Sequence, residues 1–117
     1  MRELLDDVRL GRKEGVLSVI TEVEVLIRPL RDGTGEDVER VRALLDAPGL
    51  QVVEMDREIA NATAEVRATT GLRLPDAAIV ATAVVTGCDV IVGNDALCAK
   101  RVTEIPYLLL DDLVGAA

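Results

Sequence analysis

The stretch that decides the fold is residues 71–95, GLRLPDAAIVATAVVTGCDVIVGND. Pro75 suits the first residue of a helix, where its missing N–H is not needed. Apolar residues then recur at helical spacing as far as Gly87, a residue that typically ends a helix. The apolar run Val90–Val92 follows and predicts a buried strand. A helix leading into a strand is the repeating unit of an α/β sheet. The apolar stripe of the helix is Ile79, Val80, Ala83 and Val84.

The rest of the chain repeats this alternation. Spacing and capping residues predict further helices at Arg2–Lys13, from Thr21 to a stop within Pro29–Gly33, at Gly35–Ala47, from the cap Asp56 to Thr70, and at Ala96–Arg101. Strands are predicted at Val16–Ile20, Leu50–Glu54 and Tyr107–Leu110. The pattern predicts a single α/β domain over residues 1–117, with a mostly parallel sheet covered by helices on both faces.

Composition excludes several kinds of chemistry. The chain has no histidine, so Ser-His-Asp and Cys-His triads and histidine-ligated zinc are ruled out. Its 21 acidic and 13 basic residues give a formal charge of -8, which disfavours non-specific nucleic-acid binding by the whole surface. Tyr107 is the only aromatic residue, so base stacking would contribute little. We expect Cys88 and Cys98 to be reduced thiols in a soluble, cytoplasmic protein without a membrane segment.

Three acidic residues are predicted to meet at one edge of the sheet. In parallel α/β sheets the strand-to-helix connections lie at the carboxyl ends of the strands, where ligands bind. Glu24 lies in the first turn of the helix that follows Val16–Ile20, and Asp95 follows the strand Val90–Val92. Asp76 opens a helix that runs antiparallel to the next strand, so it starts at the same edge. Clustered carboxylates need a counter-charge, and Mg²⁺ or Mn²⁺ suits an all-oxygen site.

Each of these acids also has a structural alternative. Glu24 stands three residues after Thr21, a spacing that matches a capping box. Asp76 near a helix start would interact favourably with the helix dipole, and Asp95 would cap the next helix. Their joint placement at one edge favours a shared metal site formed by Glu24, Asp76 and Asp95.

Two segments resemble the acidic motifs of the PIN domain family. They are SVITEVEVL at residues 18–26 and the stretch 71–95, in which PDAAIVATA is followed by a short strand and the pair Asn94-Asp95. The resemblance extends over nearly the whole chain and matches Glu24, Asp76 and Asp95 to the second, third and fourth acids of the family. It implies a three-layer α/β fold with sheet order 3-2-1-4-5.

The same resemblance implies a function. Such family members are typically VapC-type toxins of toxin-antitoxin pairs. They are metal-dependent endoribonucleases that an antitoxin neutralises, and they often form homodimers. By this resemblance we expect Mg²⁺ or Mn²⁺ as cofactor and RNA as substrate. Cleavage would leave a 5′ phosphate and a 3′ hydroxyl.

The chain departs from the family at its start. The family opens with a strand ending in Asp-Thr or Asp-Ser, which supplies the first acid and lies centrally in the sheet. Here the first predicted element is the following helix, and Asp6 and Asp7 lie within it. Gly93 also stands where the family commonly has Thr or Ser. Either the true start codon lies upstream or this member has lost the central first strand. We expect the former, and weak metal binding and poor RNA cleavage by the 117-residue form.

Substrate contacts are expected beside the acids. Arg73, three residues before Asp76, is the predicted phosphate-binding residue, and Asn94 a further substrate contact. The alternative function is a non-catalytic interaction or dimerisation module with an incomplete metal site. A phosphoacceptor domain fits less well, because its ordered acids and later lysine are missing. A supporting basic strip, or else only scattered solvated charge, is formed by Arg9, Arg12, Lys13, Arg28 and Arg31.

Overall fold

The structure, a computed structural model, describes residues 6–8, 10–93 and 95–109. These residues form two compact units, one ending at Glu54 and the other beginning at Met55. Each unit combines helices with a two-stranded parallel sheet. The predicted α/β class with parallel strands is therefore confirmed.

The first unit carries two strands and the helices between them. A helical segment at residues 6–8 (α1) precedes the remaining elements. Strands β1 and β2 run parallel, with Gly15 opposite Leu50 and Ser18 opposite Val53. The elements are β1 (Gly15–Ser18), α2 (Val19–Asp32), α3 (Gly35–Leu45) and β2 (Leu50–Val53).

Helix α2 begins earlier than the sequence predicted. The side chain of Ser18 accepts a hydrogen bond from the backbone N–H of Ile20 at 3.1 Å and caps the helix. Val19 and Ile20 are therefore helical, and the predicted strand Val16–Ile20 is wrong at its carboxyl end. The helix ends at Asp32, within the predicted stop Pro29–Gly33, and Pro29 lies inside its last turn.

The apolar stripe of α2 is largely exposed. Val23, Ile27 and Leu30 recur on one face of the helix, and each is at least half exposed. No described residue of α2 is buried. Exposed apolar side chains grouped on one helix face are typical of a surface that contacts another molecule.

The second unit holds most of the buried apolar residues. Strands β3 and β4 pair in parallel, with Ile91 opposite Tyr107. Leu110, predicted as the last strand residue, lies outside the described residues. The elements are α4 (Arg57–Thr70), α5 (Leu74–Thr86), β3 (Ile91–Gly93), α6 (Ala96–Arg101) and β4 (Tyr107–Leu109).

Helices α4 and α5 pack against each other and form the centre of this unit. Small side chains on α5 permit close approach: Ala77, Ala78 and Ala81 are fully buried, as is Val80. Gly71 ends α4 in the left-handed conformation at φ +71°, as the sequence predicted. No single helix in the described part of the chain is long and apolar enough to cross a membrane; α4 and α5 reach that length only together, across a 119° bend.

The strand pairs agree with the expected sheet order. In the order 3-2-1-4-5, strands three and two are neighbours, as are strands four and five, and the first strand lies between these pairs. The structure pairs β1 with β2 and β3 with β4. No strand precedes Gly15 among the described residues. Both expected strand pairs are thus present within their own units, and the order of the two pairs in one sheet stays a prediction.

Candidate functional site

Asp76 and Asp95 belong to the second unit and lie at the starts of two helices. Asp76 is in the first turn of α5, where Pro75 occupies an early position that needs no N–H donor. Asp95 directly precedes α6 and follows β3 closely in sequence. Both placements match the predicted positions of these acids.

Asp95 caps α6 with one carboxylate oxygen. Its Oδ1 accepts hydrogen bonds from the backbone N–H groups of Leu97 at 2.9 Å and Cys98 at 3.1 Å. The structural alternative considered for Asp95 is therefore confirmed. Because Oδ1 already accepts two N–H groups at the start of the helix, any cation would be bound chiefly by Oδ2.

Asp76 is paired with the predicted phosphate-binding residue. Arg73 Nε lies 3.4 Å from Asp76 Oδ2, and the two side chains are 81% and 19% exposed. This pair is weak, since an exposed arginine pays conformational entropy to keep a long contact with a carboxylate. Asp76 is held by the helix and partly enclosed, whereas Arg73 extends into solvent.

Cys98 and Tyr107 connect the two aspartates. Burial, and to a smaller extent the charges of Asp76 and Asp95, raise the pKa of the Cys98 thiol to about 11. The pKa of the Tyr107 hydroxyl is raised by burial and by the same two carboxylates. The negative charges of both aspartates therefore disfavour ionisation of the same two side chains.

Tyr107 and Cys98 also form a hydrogen-bond network around Asp95. The Tyr107 hydroxyl accepts a hydrogen bond from the backbone N–H of Asp95 at 3.3 Å, and the backbone N–H of Cys98 donates to Asp95 Oδ1 at 3.1 Å. Neither residue was predicted from sequence to have this role. The one available signal was that the only aromatic residue stands at the start of the last predicted strand.

Glu24 belongs to the first unit. Since α2 begins at Val19, Glu24 lies in its second turn rather than in the predicted first turn. The capping box proposed as its alternative role does not form, because Ser18 caps the helix and Thr21 is inside it. The contribution of Glu24 to a shared site stays a prediction, and Asn94 lies outside the described residues.

The donors of the second unit suit a hard divalent cation. Mg²⁺ is commonly held by one or two carboxylates and keeps several waters. Asp76 and Asp95 provide two carboxylates without a competing imidazole, and the thiol of Cys98 is kept protonated by its raised pKa. The described residues contain no group of three His, Cys, Asp or Glu side chains placed to hold a metal ion.

The basic strip expected in the first unit is partly neutralised. Arg12 and Lys13 both pair with Asp7, at 3.2 and 3.3 Å, and Arg31 pairs with Asp32 at 3.0 Å. These contacts favour the alternative that the strip is scattered, solvated charge. Arg9 lies outside the described residues.

Comparison with known proteins gives a family. The family model described as PIN domain matches residues 1–103. A solved structure, "Toxin-antitoxin complex from Klebsiella pneumoniae", is similar in fold, with a TM-score of 0.65 and 24% sequence identity. The similarity covers 82% of this chain and 73% of that one. No curated protein matches the sequence.

Proposed function

The chain belongs to the PIN domain family, and from this premise we propose that it is a metal-dependent endoribonuclease, the toxin of a toxin-antitoxin pair. Its reaction would be hydrolysis of RNA phosphodiester bonds with Mg²⁺ or Mn²⁺.

One observation carries the proposal. Asp76 lies in the first turn of α5 and Asp95 caps α6, both in the second unit. The charges of both carboxylates raise the pKa values of the Cys98 and Tyr107 side chains. Both acids also stand at the positions that the family resemblance assigns to its third and fourth acids. Two carboxylates that share a partly buried environment favour binding of a cation over mutual repulsion.

The acidic residues are proposed to bind the metal ion. Asp76 and Asp95 would hold the cation directly or through water, with Glu24 as the third acid. Asp95 is preorganised for this role because the start of α6 fixes its Oδ1. A divalent cation would supply electrostatic stabilisation of the phosphoryl oxygens and would ease ionisation of the attacking water.

Arg73 would change partner when the substrate binds. Its long contact to Asp76 is weak and its side chain is mostly in solvent, so a phosphate group can compete for the guanidinium. Release of Arg73 from Asp76 would also free Oδ2 for the cation. We assign Asn94 to the same substrate surface on the family resemblance.

A protein partner is part of the proposal. The Klebsiella pneumoniae structure of similar fold is a toxin-antitoxin complex by its title, which supports an antitoxin partner here. The exposed apolar face of α2, with Val23, Ile27 and Leu30, is suited to a protein contact. A homodimer and a cytoplasmic location complete the proposal.

The second candidate is a non-catalytic interaction module. It is favoured by the described residues, in which no three potential ligands are placed to hold a metal ion. In this case α2 would bind a partner protein, and the aspartates would serve only as helix-start residues.

An RNA cleavage assay separates the two candidates. Purified protein is incubated with end-labelled RNA in Mn²⁺, in Mg²⁺ and in EDTA, and the product ends are identified. The proposal predicts slow, metal-dependent cleavage that leaves 5′ phosphates and that Asp76→Asn abolishes. Asp89→Asn is the matched control, because Asp89 is an exposed aspartate of the same unit.

Three results would contradict all or part of the nuclease proposal. Equal cleavage in EDTA and Mn²⁺ would point to contaminating nuclease or to another mechanism. Undiminished activity of Asp76→Asn would remove this residue from the site. A folded protein without any cleavage would favour the interaction module.

A further inference from the structure

Three arginine side chains gather on the connection between α4 and α5. Arg67 Nη1 donates a hydrogen bond to the carbonyl oxygen of Leu72 at 2.7 Å. Arg101 Nη1, from α6, donates to the carbonyl oxygen of Thr70 at 3.1 Å. Arg73 precedes α5 on the same connection. All three side chains are exposed. Arg67, Arg73 and Arg101 are called the arginine cluster below.

The cluster keeps a net positive charge. Arg67 and Arg101 bind neutral carbonyl oxygens and form no ion pair with a described carboxylate. The end of helix α4 offsets only about half a unit of charge. Arg40 and Arg42 of α3, by contrast, both pair with acids of their own helix. The cluster is thus a local patch of positive charge in a chain of net charge -8.

The cluster adjoins the acid pair. Cys98, three residues before Arg101 on the same helix, is within electrostatic reach of both Asp76 and Asp95. Arg73 contacts Asp76 directly at 3.4 Å. A polyanion bound to the cluster would therefore also lie beside the two aspartates.

The hydrogen bonds also prepare the guanidinium groups for phosphate. Each guanidinium has five N–H donors in a fixed plane, and only one of them is used by the carbonyl contact of Arg67 or Arg101. Because the two side chains are exposed and already anchored by these bonds, less conformational entropy is lost when they bind an anion.

We propose that the arginine cluster binds the phosphodiester backbone of single-stranded RNA beside the acid pair. This inference rests on the proposed function for its substrate class. Arg67 and Arg101 are anchored phosphate contacts, and Arg73 joins them when it leaves Asp76. Stacking contributes little, so the affinity depends strongly on salt.

The test is RNA binding with metal chelated, so that cleavage does not interfere. Fluorescence anisotropy of a labelled single-stranded RNA is measured in EDTA over a series of NaCl concentrations. Arg67→Gln and Arg101→Gln should each weaken binding about tenfold at low salt. Each should also reduce the slope of log affinity against log salt by about 0.7.

Two variants control for charge and for folding. Arg57→Gln removes the same charge from the first residue of α4, at the other end of that helix, and should leave the slope unchanged. Arg101→Lys keeps the charge and a donor for the Thr70 carbonyl, so it should retain most of the slope. Circular dichroism is measured for each variant to check that it is folded.

Several outcomes overturn the inference. Equal losses of RNA affinity in Arg57→Gln and Arg101→Gln would show that net charge, and not the cluster, determines binding. Unchanged RNA affinity in Arg67→Gln or Arg101→Gln would refute the inference. Binding of poly-glutamate but not RNA would mean a surface for an acidic protein. Cleavage by the unaltered chain with normal RNA binding by both cluster variants would refute this inference alone. Cluster-dependent binding without cleavage would refute only the proposed nuclease activity.

Discussion

Asp95 has one role seen in the structure and one that we propose, and two substitutions separate them. Asp95→Ala removes both the helix cap and the carboxylate charge. Asp95→Asn keeps a side-chain oxygen that can accept the N–H groups of Leu97 and Cys98, but it removes the charge. We expect the asparagine variant to be nearly as stable as the unaltered protein and the alanine variant to be clearly less stable. Both should bind Mn²⁺ poorly.

The magnitudes follow from the two hydrogen bonds at the start of α6. Loss of an aspartate cap costs about 0.5 to 2 kcal/mol, and two well-formed bonds at 2.9 and 3.1 Å favour a value of about 1 kcal/mol. With an unfolding entropy of about 2.1 cal/mol/K per residue over 117 residues, 1 kcal/mol corresponds to a Tm lower by about 4 °C. The asparagine variant loses only the charge–dipole contribution, roughly 0.3 kcal/mol at an exposed helix start, which the alanine variant loses in addition to the cap.

Thermal unfolding and Mn²⁺ calorimetry on the same samples provide the assay. Substitution of a residue that only hydrogen-bonds to a metal ligand typically weakens metal affinity about 10- to 100-fold. Loss of a carboxylate ligand itself should weaken Mn²⁺ binding by at least that factor. If Asp95→Asn binds Mn²⁺ normally, Asp95 is a helix cap and nothing more. If both variants unfold at the same temperature, the cap geometry is not what stabilises α6.

Three further predictions concern the surroundings of the site and the helix ends. Tyr107→Phe removes the acceptor of the Asp95 N–H and should weaken Mn²⁺ binding about tenfold while lowering stability by about 1 kcal/mol, measured by calorimetry and urea unfolding. Hydrogen bonds from the backbone and side chain of Thr34 hold the pKa of Asp37 below its usual value. The ionised Asp37 side chain therefore stabilises the fold at pH values above the ordinary aspartate pKa. This stabilisation is lost as the pH falls through the lowered pKa of the folded protein. The difference in Tm between the unaltered protein and Asp37→Asn should therefore shrink in acid, and a constant difference would contradict this. Gly71→Ala should lower the free energy of unfolding in urea by about 1 to 2 kcal/mol, because Gly71 has φ +71°, a conformation that alanine disfavours. A steric clash does not contribute, since an added Cβ would meet only Arg101 Nη1, at the ordinary contact distance of 3.5 Å. An unchanged unfolding midpoint would refute the conformational cause.

Local signals in the sequence predicted most of the second unit. Asp56, Gly71 and Gly87 mark helix ends through side-chain caps and left-handed conformations, and these depend on neighbouring residues only. The start of α2 was mispredicted because Thr21 and Glu24 imitate a capping box, whereas Ser18 is an equally good cap that lies earlier.

The surroundings of Asp95 were not predictable from local sequence. The roles of Tyr107 and Cys98 depend on the parallel register of β3 and β4, which places Tyr107 opposite Ile91. Such a register is a contact between distant parts of the chain, and no spacing rule in a single sequence reveals it. The exposed stripe of α2 has the same explanation, since helical spacing predicts an apolar face but not the element that covers it.

The central claim is that Asp76 and Asp95 share one divalent cation, and Mn²⁺ calorimetry of three proteins tests it most directly. The unaltered chain, Asp76→Asn and Asp95→Asn are titrated under the same conditions, with Asp89→Asn as the charge-matched control. We predict a single binding event in the unaltered chain, weak but measurable, that either site substitution weakens at least tenfold and the control leaves intact. Two independent binding events, or a normal event in either site variant, would contradict the claim.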